Sequence, residues 1–210
     1  MLSAINLECR RGEQLLFSEL SFSLDAGGLI QLRGANGSGK TSLLRMLCGF
    51  SRPEQGEILW NGKAIQRIKE TYSRALMYVA HLNALKDDLS PLENLSFSAK
   101  MNGLNSSEKS VVHALSLMGL KNRMHLPVRV LSQGQRRRVG LSPLVMGEFS
   151  PLWILDEPFN ALDVEGVELL AGLLSEHLHR GGMAILTTHQ DVEISARQLQ
   201  HIKLNAPHNG

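Results

Sequence analysis

Cysteine is nearly absent from this chain, with only Cys9 and Cys48. No disulfide framework can be built from them, so a reducing compartment fits best. Long apolar runs are missing too. None reaches the roughly 18 uninterrupted apolar residues that a membrane-spanning helix needs, so any membrane role is expected to depend on a partner. Neither sign of charge dominates: 22 Lys and Arg stand against 20 Asp and Glu, a net charge of +2. That is too little to argue for nucleic acid, and none is expected as a partner. The opening "MLSAINLECRRGEQ" carries acids early and has no apolar centre, so no signal peptide is expected. There is no long repeat and no low-complexity tract, and only "NAPHNG" reads as a frayed tail. What is present is a core: 43% of 210 residues are apolar. That suits one globular domain, with room for an inserted subdomain.

The first third reads as strands and turns. "LSFSLD" alternates, "GGLIQLRG" is a short buried strand, and "GEILWNGKAI" is a hairpin arm turning at Asn61-Gly62. Between them "KTSLLRMLCGF" has its apolar residues at helical spacing and a C-cap near Gly49. The middle is helical. "LSPLENLSFSAKMNG" offers Ser90 as N-cap, Pro91 at the first helical position and Glu93 closing a capping box. "SSEKSVVHALSLMGL" is a second amphipathic helix. Residues 82–133 are expected to form a helical subdomain, with 1–81 and 134–210 as the catalytic core. After it, strand and helix alternate through "SPLWILDEP", "VEGVELLAGLLSEHLHRGG" and "MAILTTH", which predicts a mostly parallel α/β sheet with helices on its faces.

Gly34-Ala35-Asn36-Gly37-Ser38-Gly39-Lys40-Thr41, followed by Ser42, has the spacing of a phosphate-binding P-loop. Its glycines let successive N–H groups converge on one anion, and the helix that follows adds its positive end. Lys40 would reach the β- and γ-phosphates of a nucleotide, and the Thr41 hydroxyl would hold Mg²⁺. "LWILDEP" supplies the acids: Asp156, at a strand end, would meet the metal through water, and Glu157 would polarise an attacking water. His189 ends a neighbouring strand near the same place. A GTPase would need Asn-Lys-x-Asp, and "NALD" at residues 160–163 lacks the lysine. A small-molecule kinase would need an arginine-rich lid, and residues 82–133 hold few arginines. ATP hydrolysis fits better than either.

A second anion site is written at "LSQGQRRR". Ser132 and Gln135 have capping-box spacing, and a helix start with a serine hydroxyl and a glycine N–H can bind phosphate. Arg136, Arg137 and Arg138 read most simply as a solvated face, with docking or lipid contact as the alternative for the first two. His113, His125, His177 and His179 read as surface residues.

In order, the P-loop, "LSQGQ", "ILDEP", "NALD" and "TTH" resemble the nucleotide-binding subunits of ABC transporters, over essentially the whole chain. The resemblance implies an ABC-type P-loop ATPase: a RecA-like, mostly parallel core, an N-terminal antiparallel β part and an inserted helical subdomain. It implies a head-to-tail dimer. Ser132, Gly134 and Gln135 would bind the γ-phosphate held by the loop of a second copy, Asp163 would be the D-loop residue, and His189 the switch histidine. In three places the sequence departs from the family pattern. Gln133 stands where the signature usually has glycine, His81 stands at the Q-loop glutamine position, and no aromatic precedes "FSELSF" to stack on adenine, where Arg10 or Arg11 could stack instead.

With "ECRRGEQLLFSELSF", "DEPFNALDVEGVELL" and "GGMAILTTHQ", these departures make the chain most similar to the cytochrome c maturation branch of the family. That likeness implies an integral membrane partner of the CcmB type, the cytoplasmic face of a bacterial inner membrane, and haem export or release of a haem-loaded chaperone. The helical subdomain and the His81 loop would form the docking face. No C-x-x-C-H motif occurs, so direct haem ligation is not expected. The alternatives are an exporter of another substrate and a soluble ABC-type protein acting on ribosomes or DNA. The chain carries one cassette and no coiled-coil or zinc insert, which weighs against the last.

Overall fold

The structure, a computed structural model, describes residues 1–104, 107–146 and 150–205. Most of the "NAPHNG" tail therefore lies outside the described residues. Contacts divide the chain into two units, residues 1–78, 150–157 and 174–210, and residues 79–149 and 158–173.

The first unit holds two sheets. One pairs β1 (Leu2–Arg11) with β2 (Gln14–Leu24) and with β4 (Gln55–Trp60), which pairs in turn with β5 (Lys63–Ala64), all antiparallel. Asn61 and Gly62 both take positive φ in the β4–β5 turn, as an Asn-Gly hairpin requires. The other sheet runs in the order β6 (Leu76–Val79), β7 (Leu152–Leu155), β8 (Met183–Thr187), β3 (Gly28–Arg33), β9 (Gln198–Lys203). Within it β3 is parallel to β8 and β9, and β7 to β8. Strands β7 and β8 are buried at every residue, because parallel strands are covered on both faces. Ile30 and Leu32 of β3 join Leu43, Leu44 and Leu47 of α1 (Lys40–Leu47) in one apolar cluster with Ile154 and Ile185. A short α2 (Lys69–Ala75) precedes β6.

His177 corrects one expectation. It lies in α6 (Val164–His179), only 4% exposed, with its ring stacked on Trp153 at 3.9 Å. Its Nε2 is 3.2 Å from the Met183 carbonyl. The aromatic partner and the carbonyl make burial tolerable for a neutral ring. His113, His125 and His179 are exposed, as expected.

The second unit is helical. In α3 (Pro91–Met101) the Ser90 hydroxyl accepts the Glu93 N–H and the Glu93 carboxylate answers the Ser90 N–H, a complete capping box. Helix α3 packs on α4 (Glu108–Leu117), which is capped by Ser107. Buried Leu95, Ala99, Val111, Leu115, Val139 and Leu141 form the interior of this unit. It takes in α5 (Gln133–Leu141) and the start of α6, and so extends beyond residues 82–133.

Candidate functional site

Strand β3 stops at Arg33 and α1 starts at Lys40, so residues 34–39 must turn sharply. Gly39 does so at φ 96°, where a Cβ would also lie 3.2 Å from Leu16 and Phe17. At Gly34 a Cβ would meet the Leu204 carbonyl at 2.5 Å and the Ser38 hydroxyl at 2.6 Å. No side chain caps α1, and its first turn holds no acid, which leaves its N–H groups to an anion. The Ser38 hydroxyl is buried with no hydrogen-bond partner. Lys40 is 7% exposed and donates through Nζ to the carbonyls of Gly34 (2.7 Å) and Ala35 (3.0 Å). A curled loop with an orphan hydroxyl and an inward lysine fits a nucleotide's phosphates.

Asp156 follows β7 and is 3% exposed. Its Oδ2 accepts from the Thr41 hydroxyl at 3.0 Å, and its Oδ1 from the Thr187 hydroxyl at 2.7 Å. The same Thr187 oxygen accepts the Glu157 N–H at 2.7 Å. Glu157 has φ 47°, and its Oε1 lies 3.6 Å from His189 Nε2. A hydroxyl beside a carboxylate offers the hard oxygen donors that Mg²⁺ takes, so these residues fit that ion. Sequence reasoning misses Thr187. Its signal is a hydroxyl residue ending the otherwise apolar run "MAIL".

The signature residues lie in the helical unit. The Ser132 hydroxyl accepts the Gln135 N–H at 3.2 Å, and Gln135 Oε1 accepts the Ser132 N–H at 3.1 Å, a capping box as the spacing predicts. Ser132 and Gln133 are exposed. Gly134 is demanded by a close approach, since a Cβ there would lie 2.8 Å from the Ala161 carbonyl. Asp163 accepts from Arg138 and from the Gly166 N–H. The Arg138 hydrogen bond, then that N–H, holds its carboxyl below the usual carboxylate range. Ser132, Gly134, Gln135, Arg138, Ala161 and Asp163 all line one pocket of about 270 Å³.

The three arginines are not a solvated face. Arg137 is 3% exposed; its guanidinium donates to the carbonyls of Ala80 (2.9 Å), His81 (3.1 Å) and Pro158 (3.3 Å) and to Asn83 Oδ1 (3.0 Å). Irregular backbone carbonyls inside a fold need donors, and five fixed N–H groups supply several at once. Arg136 pairs with Asp87 at 3.0 Å, and Arg138 with Asp163. His81 is exposed and its carbonyl is held by Arg137. Arg11 is exposed at the end of β1, and the Arg10 guanidinium is engaged by Glu8 at 2.8 Å.

The predicted residues therefore fall into two groups. Lys40, Thr41, Asp156, Glu157 and His189 belong to the first unit; His81, Ser132, Gly134, Gln135 and Asp163 belong to the second. The first group defines a P-loop nucleotide-binding protein. The ABC transporter family pattern matches residues 17–160. The cytochrome c biogenesis ATP-binding export protein CcmA of Dechloromonas aromatica is 52% identical, over 97% of this chain and 100% of its own. That of Nitrosomonas europaea is 51% identical, over 98% and 96%. Among solved structures, an ATP-binding subunit of an ABC transporter superposes with TM-score 0.78 at 27% identity, covering 90% of this chain and 79% of its own. An ATP-binding cassette captured as a dimer after hydrolysis, with ADP and phosphate bound, shares the fold at TM-score 0.77 and 20% identity, covering 90% and 88%. The chain belongs to the ABC transporter family, as an ATP-binding, ATP-hydrolysing subunit.

Proposed function

We propose that this chain is the ATP-driven subunit of a membrane complex for c-type cytochrome biogenesis, working as a homodimer. The observation that carries the reading is the cluster of Thr41, Asp156, Glu157 and His189 in the unit that holds the phosphate loop. Lys40 leaves the loop carbonyls for the β- and γ-phosphates of ATP. Thr41 and Asp156 would hold Mg²⁺, which when bound spreads and neutralises the phosphate charge. Glu157 takes a proton from the attacking water, and His189 holds the Glu157 carboxylate in place. Ser132, Gly134 and the α5 N-terminus of a second copy bind the γ-phosphate, and Asp163 keeps that region ordered through Arg138. Each hydrogen bond to a charged oxygen contributes about 1.5–3 kcal/mol. Hydrolysis removes those acceptors and the dimer opens.

The membrane link would run through an integral subunit of the CcmB type, on the cytoplasmic face of the inner membrane. Two facts support it. Among the described residues no helix is long and apolar enough to cross a membrane, and the helical unit exposes Leu82, Phe97 and Met101. Haem export, or release of a haem-loaded chaperone, is the work such a complex would do. Affinity purification from detergent-solubilised membranes tests this. Co-elution of cytochrome c maturation membrane proteins is the expected result; an unrelated permease would contradict it.

A further inference from the structure

We propose that Thr187 is a positioning residue for both acids of the hydrolytic site, one hydroxyl setting the aim of Asp156 and Glu157 together. The inference rests on the ATPase reading and concerns the first residue of "TTH", to which that reading gives no role. Thr187 ends β8, whose other residues are Met183, Ala184, Ile185 and Leu186, and it is completely buried. A hydroxyl in such a place is unfavourable unless hydrogen-bonded. Here its roles are forced. The Glu157 N–H can only donate, at 2.7 Å, so the oxygen must accept it. The Asp156 carboxylate can only accept, also at 2.7 Å, so the hydroxyl proton must point to Oδ1.

Two consequences follow from that single orientation. With Oδ1 engaged by Thr187, the Asp156 carboxylate plane is fixed and Oδ2 is turned to the Thr41 hydroxyl, the side where a cation would be held. Glu157 meanwhile sits at φ 47°, an unfavourable region for a residue with a Cβ. The acceptor on its N–H opposes relaxation to an ordinary φ, and this backbone setting keeps Oε1 beside His189. Valine has nearly the shape of threonine and can make neither bond.

The test compares Thr187→Val, Thr187→Ser and Thr187→Ala in the full-length chain, measuring ATP affinity with EDTA and with Mg²⁺, and then kcat and KM. Thr187→Val should keep its metal-free ATP affinity. It should lose about ten-fold of the gain in affinity that Mg²⁺ gives the unaltered protein, and kcat should fall about ten-fold or more with KM little changed. Thr187→Ser keeps the hydroxyl and should restore both, whereas Thr187→Ala, close to serine in size without the hydroxyl, should not. The serine and alanine pair decides the matter if the valine variant does not fold. A valine variant with normal Mg²⁺ gain and kcat would overturn the proposal, as would a serine variant as impaired as alanine. If the unaltered chain binds nucleotide but hydrolyses none, the ATPase reading fails, and the Mg²⁺ dependence of binding still decides for or against Thr187.

Discussion

The phosphate loop and the signature helix are built from like parts and finished differently. Each places a serine and a glycine at a helix start. The charged and metal-facing groups of the loop find partners within its own unit: Lys40 rests on the carbonyls of Gly34 and Ala35, and Thr41 on Asp156. The signature is anchored from behind, Arg137 on the Ala80 and His81 carbonyls and Arg138 on Asp163, while Ser132 and Gln133 are exposed in front. Its pocket is lined by neither a lysine nor the Asp156–Glu157 pair. A helix start can attract phosphate, yet hydrolysis also needs a charge to hold it and a base. The unit with the loop holds the lysine and the acids, and the signature holds neither, so each is half of a site. Two copies exchanging halves would make two complete sites.

The comparison can be broken at the anchor first. Arg137→Met removes the donor from one buried and two part-buried carbonyls and should cost about 3 kcal/mol or more in denaturant unfolding. Nucleotide binding at the phosphate loop should persist under native conditions, because that loop does not depend on this arginine. Loss of both together would mean that the two regions are not separately built.

Acid should act on the other unit. Burial is the main cause that pushes the His177 ring down from 6.5 to about 4, and the Arg180 charge adds to it. The unfolded chain then takes up a proton below about pH 6.5 that the native ring refuses until about pH 4. Stability is full above that window and falls as pH drops through it, by up to about 3 kcal/mol. Urea titrations at several pH values check this, and His177→Phe, which cannot titrate, should flatten the dependence. Smallest of the three, Ser132→Ala should cost about 1 kcal/mol through the lost cap. It should leave ATP binding to a single chain unchanged while weakening any ATP-dependent association.

Much of this is legible in the sequence wherever a local rule acts alone. The two capping boxes, the Asn61-Gly62 turn and the glycine loop each depend on neighbours a few residues apart. Strand β9 is not legible. "QLQHIK" lies at the edge of its sheet and is mostly exposed, so it lacks the apolar pattern that marks a strand. Arg137, His177 and Thr187 escape for a related reason. Charge and polarity suggest a surface, and burial becomes favourable only when distant partners arrive: Ala80 and Pro158 for the arginine, Trp153 and Met183 for the histidine, Asp156 for the threonine. Those contacts are tertiary, and of the three residues only Thr187 leaves a mark at short range, as a hydroxyl ending an apolar run.

The central claim is that the signature completes a phosphate site on another copy of the chain. Glu157→Gln tests it most directly, because it removes the proposed base and leaves the phosphate contacts in place. Sized in solution with saturating ATP and Mg²⁺, this variant should be a stable dimer with hydrolysis almost gone, and a monomer with ADP. A variant that stays monomeric at saturating ATP would contradict the account.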